Sequence, residues 1–495
     1  MPTRRAFLVS GATAVLAGRA LDATAARPRP PLARGGAFPQ GVMAGQPASH
    51  AATLWAQLAE PERPGPLRLE VATDPGFARV VHRERVTPAP HTGIARRRVV
   101  GLRPARPYWY RFAGASGSSP VGRFRTLPPP DSADPVRIGV WSCQMYFLGY
   151  FTGQAALAAE DDLDLVLCLG DYIYETYLDL TRTEPRPEGA EGGAQTLAEY
   201  RAKYAAYRSD PDLRAMHAAH AFLPLWDDHE VANDYGGSNV PAGEREPDPA
   251  KRRRHAYRAW FEAMPLVRSR REPDRTYRRL RIGRHLDLFA LDTRQYRVEG
   301  QTLLGPAQEA WLTKGLTTSR ASWKVLGSSV LMMDLNGPGS ESITGASAGS
   351  WQAFADRRRA LGERLVGGGV RDVAAVTGDA HAFYAGTVTT EGDASGTPFA
   401  TEFCAGTMAA SNAGTSVFEG LGPASAPALS AADRVNTPTL AFSNAADHGY
   451  AIVEARADAL DVTFRAVETI QQPKAAVRDL ARFTVARGEI GPHAR

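Results

Sequence analysis

Five short stretches of the sequence gather side chains able to bind ions or move protons. They are Ser142-Cys143-Gln144, Gly170-Asp171-Tyr172-Ile173-Tyr174-Glu175, Trp226-Asp227-Asp228-His229-Glu230 with Asn233 just beyond, Asp292-Thr293-Arg294-Gln295-Tyr296-Arg297, and Thr377-Gly378-Asp379-Ala380-His381. Acids as dense as Asp227, Asp228 and Glu230 repel one another unless cations neutralise them. Carboxylates, a tyrosine, a thiol and a histidine can together hold a di-metal centre. The Gly-Asp step lets Asp171 leave its strand early and bridge two ions, and Tyr174 can reach back to one of them. A kinked loop can aim both Asp379 and His381 inward. Phenolate, thiolate, carboxylate and imidazole suit a trivalent or borderline ion such as iron. A partner site made mostly of carboxylate oxygens suits calcium, magnesium or manganese. Two such ions clamp a phosphate and lower the pKa of a water, the recurring design of phosphoester hydrolases.

Each stretch follows a run of apolar residues that reads as a buried strand: Val136–Trp141, Leu163–Leu169, Phe222–Leu225, Leu286–Leu291 and Val373–Val376. Helical patterns at Thr152–Asp161, Leu197–Tyr207 and Gln352–Leu365 alternate with them, which predicts an α/β layer. In such sheets the site lies beyond the carboxyl ends of the strands. Five polar endings therefore predict one site. Tyr200, Tyr204 and Tyr207 share a helical face and read as a packed aromatic stripe. The Lys251–Arg254 run opens a further helix, reaching Met264, and reads as a solvated charged face.

Upstream, residues 37–127 read as all-β, with period-two strands separated by turns such as Pro64-Gly65-Pro66. Leu102-Arg103-Pro104 followed by Tyr108-Trp109-Tyr110 resembles the tyrosine corner of fibronectin type III sandwiches. Residues 135–495 then form the catalytic domain. Thr3-Arg4-Arg5-Ala6-Phe7-Leu8, a mild apolar segment and Ala23-Thr24-Ala25 make residues 1–25 a twin-arginine signal peptide. The protein is therefore expected to use the twin-arginine (Tat) export machinery and to act in the periplasm or outside the cell. Cys143, Cys168 and Cys404 are too few for a disulfide framework. Cys168 and Cys404 lie within apolar runs and read as inert, whereas Cys143, where a strand opens into a loop, can be a ligand or nucleophile.

Across 495 residues the net charge is +5, and only five of the 58 basic residues are lysines. That arginine bias is ascribed to genome composition, so no nucleic-acid specificity is inferred. The chain is expected to be a monomer.

Taken together, Trp226–Val231 with Asn233, Gly170–Tyr174, Leu291–Arg297 and Thr377–His381 resemble the PhoD-like alkaline phosphatases, within the calcineurin-like metallophosphoesterases. The resemblance implies an α/β (α+β) metallophosphoesterase β-sandwich core flanked by helices, preceded by a small all-β fibronectin type III-like domain. It implies a secreted hydrolase of phosphoester substrates, with Fe3+ held by Cys143, Asp171, Tyr174 and His381. Asp171 would bridge to Ca2+, which Asp228 and Asp379 also hold. Asn233 would be a further ligand or phosphate contact. His229 would protonate the leaving group, and Arg294 would fork two phosphate oxygens. The family often carries glutamine where this chain has Ser329, which removes one expected substrate contact. Monoesters and diesters, including wall polymers and phospholipids, both suit the site. Two other readings compete. Gly345-Ala346-Ser347-Ala348-Gly349 spells a serine-hydrolase elbow but lacks the strand before it. A non-catalytic binding protein would have lost metal-competent residues that this chain keeps.

Overall fold

The computed structural model describes residues 30–176, 193–335, 349–412 and 426–495. The twin-arginine segment 1–25, the Glu/Gly-rich run up to residue 192 and Ser347 lie outside them.

Seven strands come first: β1 (Val42–Ala48), β2 (Ala51–Gln57), β3 (Leu67–Ala72), β4 (Val80–Val86), β5 (Ile94–Val100), β6 (Pro107–Ala113) and β7 (Gly122–Arg125). Strands β3, β4, β6 and β7 form a four-stranded sheet in the order β4-β3-β6-β7. The expected tyrosine corner is present: the Tyr108 hydroxyl accepts from Arg103 N at 2.8 Å. The strands β1, β2 and β5 do something the local pattern does not reveal. They extend the central sheet of the catalytic region, because β1 pairs in parallel with the later strand β10 (Ala221–Pro224), Ala44 opposite Ala221. Gly45 also lets β1 lie close against Pro265, since a Cβ there would lie 2.6 Å from the Pro265 carbonyl oxygen.

The central sheet also holds β8 (Val136–Trp141), β9 (Leu165–Cys168), β18 (His448–Ala455), β19 (Ala459–Val467), β20 (Val477–Ala486) and β21 (His493–Ala494), in the order β21-β20-β19-β18-β8-β9-β10-β1-β2-β5. A second, seven-stranded sheet runs β11-β12-β13-β14-β16-β15-β17, from β11 (Arg278–Ile282), β12 (Leu286–Ala290), β13 (Trp323–Ser328), β14 (Val373–Thr377), β15 (Phe383–Thr389), β16 (Pro398–Ala405) and β17 (Leu440–Asn444). Ile138, Leu167, Leu288, Val325, Val376 and Phe464 share one buried cluster, so the two large sheets pack face to face. Helices α1 (Thr152–Ala158), α2 (Leu197–Tyr207), α3 (Pro211–Ala219) and α4 (Pro249–Ala263) cover the first sheet. Helices α5 (Gly305–Thr318) and α6 (Ala355–Gly367) cover the second. This is the sandwich flanked by helices that the family resemblance implies.

Of the strands that lead to the site, β9, β10 and β14 have parallel neighbours on both sides and are fully buried, as sheets covered on both faces require. Register aligns their ends: Trp141 and Pro224 both lie opposite Cys168, and Ser328 lies opposite Thr377. Helix α2 starts at a capping box between Thr196 and Glu199. Its Tyr200, Tyr204 and Tyr207 are buried, as expected of a packed stripe. Helix α4 departs from the expected solvated face: Arg252 turns inward and donates to the carbonyls of Pro241 and Ala194.

Candidate metal centre

The five polar endings converge, and the backbone bends sharply to make them do so. Cys143, Asp171, Asp379 and His381 all have positive φ, between 51° and 65°. Such conformations cost roughly 1–3 kcal/mol each in a non-glycine residue and persist only where their surroundings fix them. Gly170 before Asp171 has φ 121°, and a Cβ there would lie 2.5 Å from Asp227 Cβ. Gly378 before Asp379 is packed just as closely, 2.6 Å from Ser142 Oγ to its would-be Cβ. The two Gly-Asp steps therefore let four loops meet in one place. Cys143 is braced from a fifth segment: its carbonyl accepts from Thr407 Oγ1 at 2.8 Å and Ala409 N at 3.1 Å.

Donor atoms of Cys143, Asp171 and His381 lie within 4.8 Å of one another, and so do those of Asp171, Asp227, Asp228 and Asp379. Asp171 belongs to both groups. The Tyr174 hydroxyl lies 3.0 Å from Asp171 Oδ2 and 3.0 Å from His381 Nε2, which places it with the first group. These are the six residues named as metal ligands from the sequence, with Asp227 in addition; a His229 nitrogen also lies within 4.8 Å of donor atoms of Asp171 and Asp228.

Their electrostatics fit cations. Asp171 Oδ1, Asp227 Oδ2 and Asp228 Oδ1 are buried and accept no hydrogen bond among the described residues. Burial, with Asp228 and Asp227 close by, pushes the Asp171 carboxyl well above its usual range. Burial likewise moves Asp379 to about 6. Burial and then the Asp171 charge push the Cys143 thiol and the Tyr174 phenol well up. Such acids ionise together only beside positive charge, which divalent or trivalent ions supply. His381 is lowered to about 4 by burial and by His229, so its imidazole is neutral and free to ligate. Thiol, phenol, imidazole and carboxylate in one group, with only carboxylates in the other, is the donor division expected of two unlike metals.

The remaining sequence candidates take distinct places. His229 stacks on Tyr174, ring centroids 4.1 Å apart. Its Nδ1 lies 2.7 Å from Glu175 Oε2. Burial opposes its charge, but Glu175, Asp228 and Asp171 outweigh burial and hold its pKa well above the usual histidine value. Arg294 is fully buried, with Nε on Asp227 and Nη2 3.3 Å from Asp228 and 3.7 Å from Asp379. Two of its three nitrogens thus face carboxylates, and Nη1 has no hydrogen-bond partner among the described residues. Asn233 is exposed, outside both donor groups, and its side chain donates to Asp234 at 2.6 Å. Ser329 donates to the Trp226 carbonyl at 2.7 Å, a tie between loops.

Two acids do work that the sequence reading does not assign. Glu175 accepts from Asn233 N at 2.8 Å as well as holding His229. Glu230 accepts from the backbone amides of Asp171, Tyr172 and Asp227. Both stand inside the quoted motifs, but apart from His229 their partners are backbone N–H groups, which leave no trace in residue type. The tyrosine stripe likewise does more than pack. The Tyr207 hydroxyl accepts from Tyr146 N and Tyr174 N, and the Tyr200 hydroxyl donates to the Val231 carbonyl.

Comparison with known proteins agrees with this geometry. Residues 138–464 match the family model of the PhoD-like phosphatase, and residues 23–128 match that of the PhoD-like phosphatase N-terminal domain. Alkaline phosphatase D of Bacillus subtilis (strain 168) is 31% identical over 490 residues, spanning 92% of this chain and 82% of the relative. A solved structure of PhoD superposes with a TM-score of 0.81 at 28% identity, covering 92% of each chain. The purple acid phosphatase PPD1 from yellow lupin seeds shares the fold, with a TM-score of 0.60 at 13% identity over 90% of this chain and 74% of that one.

Proposed function

The chain belongs to the PhoD-like phosphatase family, and from that premise we propose that it is a secreted iron- and calcium-dependent phosphoester hydrolase. The observation that carries this reading is the pair of donor groups sharing Asp171. Cys143, Asp171, Tyr174 and His381 would hold Fe3+, while Asp171, Asp228 and Asp379, with Asp227 beside them, would hold Ca2+. When bound, the cations would supply the positive charge that polarises a phosphoryl group and makes water nucleophilic.

The chain's own residues do the rest. Glu175 accepts the His229 Nδ1 proton, which fixes the ring and its tautomer and keeps the imidazole basic enough to stay protonated. His229 then gives a proton to the leaving oxygen from its second ring nitrogen. Arg294, held by Asp227, keeps Nη1 for a phosphate oxygen, so its fork is divided between a carboxylate and the substrate. With the family's glutamine replaced by Ser329, which is committed to Trp226, recognition of the rest of the substrate falls to the entrance of the site. Asn233, exposed and outside the donor groups, would meet phosphate rather than bind metal.

Export by the twin-arginine route rests on Arg4 and Arg5. Among the described residues no helix is long and apolar enough to cross a membrane. Replacing both arginines by lysine should trap the precursor in the cytoplasm, because the pair is an address read by a receptor. Appearance outside the membrane at the normal level would point to another route. The functional reading is tested by turnover of a phosphomonoester and a phosphodiester on one metal-replete preparation. Hydrolysis of either, unaffected by serine-directed acylating reagents, supports it. Inactivity towards both, or abolition by such reagents, contradicts it.

A further inference from the structure

The basic charge of this protein is not spread evenly. Residues 30–127 carry fourteen arginines against five acids, a net charge of +9. Residues 128–495 carry 39 basic and 47 acidic residues, a net charge of −8. An arginine-rich genome would raise both parts alike, so the excess in the N-terminal part has another origin.

Register shows where six of these fourteen arginines go. Across β3 and β4, Arg68 lies opposite Arg85 and Glu70 opposite Arg83; across β3 and β6, Glu70 lies opposite Arg111. On the other side of β6, Trp109 lies opposite Arg123 and Pro107 opposite Arg125. Directly paired and alternate residues share a face of the sheet. One face of the four-stranded sheet therefore presents Arg68, Arg83, Arg85, Arg111, Arg123 and Arg125, with Trp109 half-buried among them. The opposite face, with Leu69, Tyr110 and Phe124, is in the core. Two acids offset the six guanidiniums. Glu70 takes Arg68, Arg83 and Arg111 together, and Asp164 takes Arg125 at the margin. Arg68 and Arg85, like charges placed directly across strands, oppose folding.

We infer that this sheet face is a docking surface for an extended polyanion, a linear polymer carrying phosphate at regular intervals. Neighbouring strands are about 4.8 Å apart and alternate residues along a strand about 6.7 Å. The guanidiniums thus form a grid on which successive phosphates of one chain can each find a partner. Arginine suits this role because its planar fork matches phosphate oxygens. A half-buried tryptophan between the charges adds an apolar contact for whatever links the phosphates. The surface shares no residue with the metal centre, so, given the phosphoesterase reading, it would hold a long substrate or anchor the enzyme on one without taking part in the chemistry.

The test uses the full chain and long-chain inorganic polyphosphate, with binding measured across a salt series. About four phosphate contacts predict an affinity that falls about 50-fold between 50 and 200 mM salt. The triple variant Arg68→Gln, Arg83→Gln, Arg85→Gln should bind at least tenfold more weakly, with a shallower salt slope. The matching triple lysine variant should stay within a fewfold of the parent, which separates loss of charge from loss of fold. Turnover of p-nitrophenyl phosphate should be the same in all three. Equal polyphosphate binding by the glutamine variant would overturn the inference. Binding to anionic phosphatidylglycerol vesicles but not to polyphosphate would also overturn it, by making the partner a membrane.

Discussion

The two halves of the metal centre balance their charge in opposite ways. Around Cys143, Asp171, Tyr174 and His381 there is one carboxylate, a thiol and a phenol that are neutral when protonated, and an imidazole that is neutral when unprotonated; the cation beside them is His229, stacked on Tyr174, and the described residues put no arginine or lysine there. Around Asp227, Asp228 and Asp379 the donors are all acids, and Arg294 is packed among them as a permanent cation. The first half needs an ion strong enough to strip protons from a thiol and a phenol. The second has part of its compensation built in and needs only an ion that accepts hard oxygens. Asp171 is the hinge of the comparison because it belongs to both.

The largest expected effect comes from removing that shared group. Asp171→Asn should abolish measurable turnover and lower the content of both metals, as read by elemental analysis. Loss of only one metal would show that Asp171 does not bridge. Next comes His229→Asn, which lies in neither half as a ligand. It should leave metal content intact while turnover falls about 10²–10⁴-fold, the usual range for a lost general acid. The loss should be smaller for esters with good leaving groups, and equal losses across leaving groups would contradict the role.

Smaller again is a shift in pH profile. The pKa of His229 is raised, so its acid form persists to higher pH than a free imidazole and activity is lost as pH rises through that value. Glu175 lies outside both donor groups, so its pull on His229 survives when cations neutralise the aspartates. Glu175→Gln should therefore move the basic limb of the kcat profile to lower pH, with KM little changed; an unmoved limb would count against the pair. The smallest change is expected from Glu230→Gln. That carboxylate holds the Asp171 and Asp227 loops together by their amides, and weakening such a support typically costs about 10–100-fold in metal affinity. Titration of the purified protein with calcium would show it.

What could be read from the sequence divides along similar lines. The strands β8, β9, β10, β12 and β14 were legible because both sheet faces are covered, which makes them almost wholly apolar apart from Arg137 and Asp287, and the polar residues after them pointed to the site. Side chains that act through their own chemistry, such as Cys143 and His381, stood out by type. Those that act on the backbone did not. Glu230, Glu175 and the hydroxyls of Tyr200 and Tyr207 are tied to N–H and C=O groups, which every residue carries. The joining of β1 to β10 is a contact between positions 177 residues apart at Ala44 and Ala221, and no local period reports it. Arg252 shows the reverse error, a charged run read as solvated that conceals one inward arginine.

The asymmetry between the halves is tested most directly by the visible absorption spectrum of the concentrated enzyme, taken with and without a calcium chelator and compared with Tyr174→Phe. Phenolate and thiolate on ferric iron should give a charge-transfer band. Tyr174→Phe should weaken or shift it, while the chelator should abolish activity and leave the colour. A colourless, fully active enzyme with stoichiometric zinc would contradict the assignment of iron to the Cys143 half.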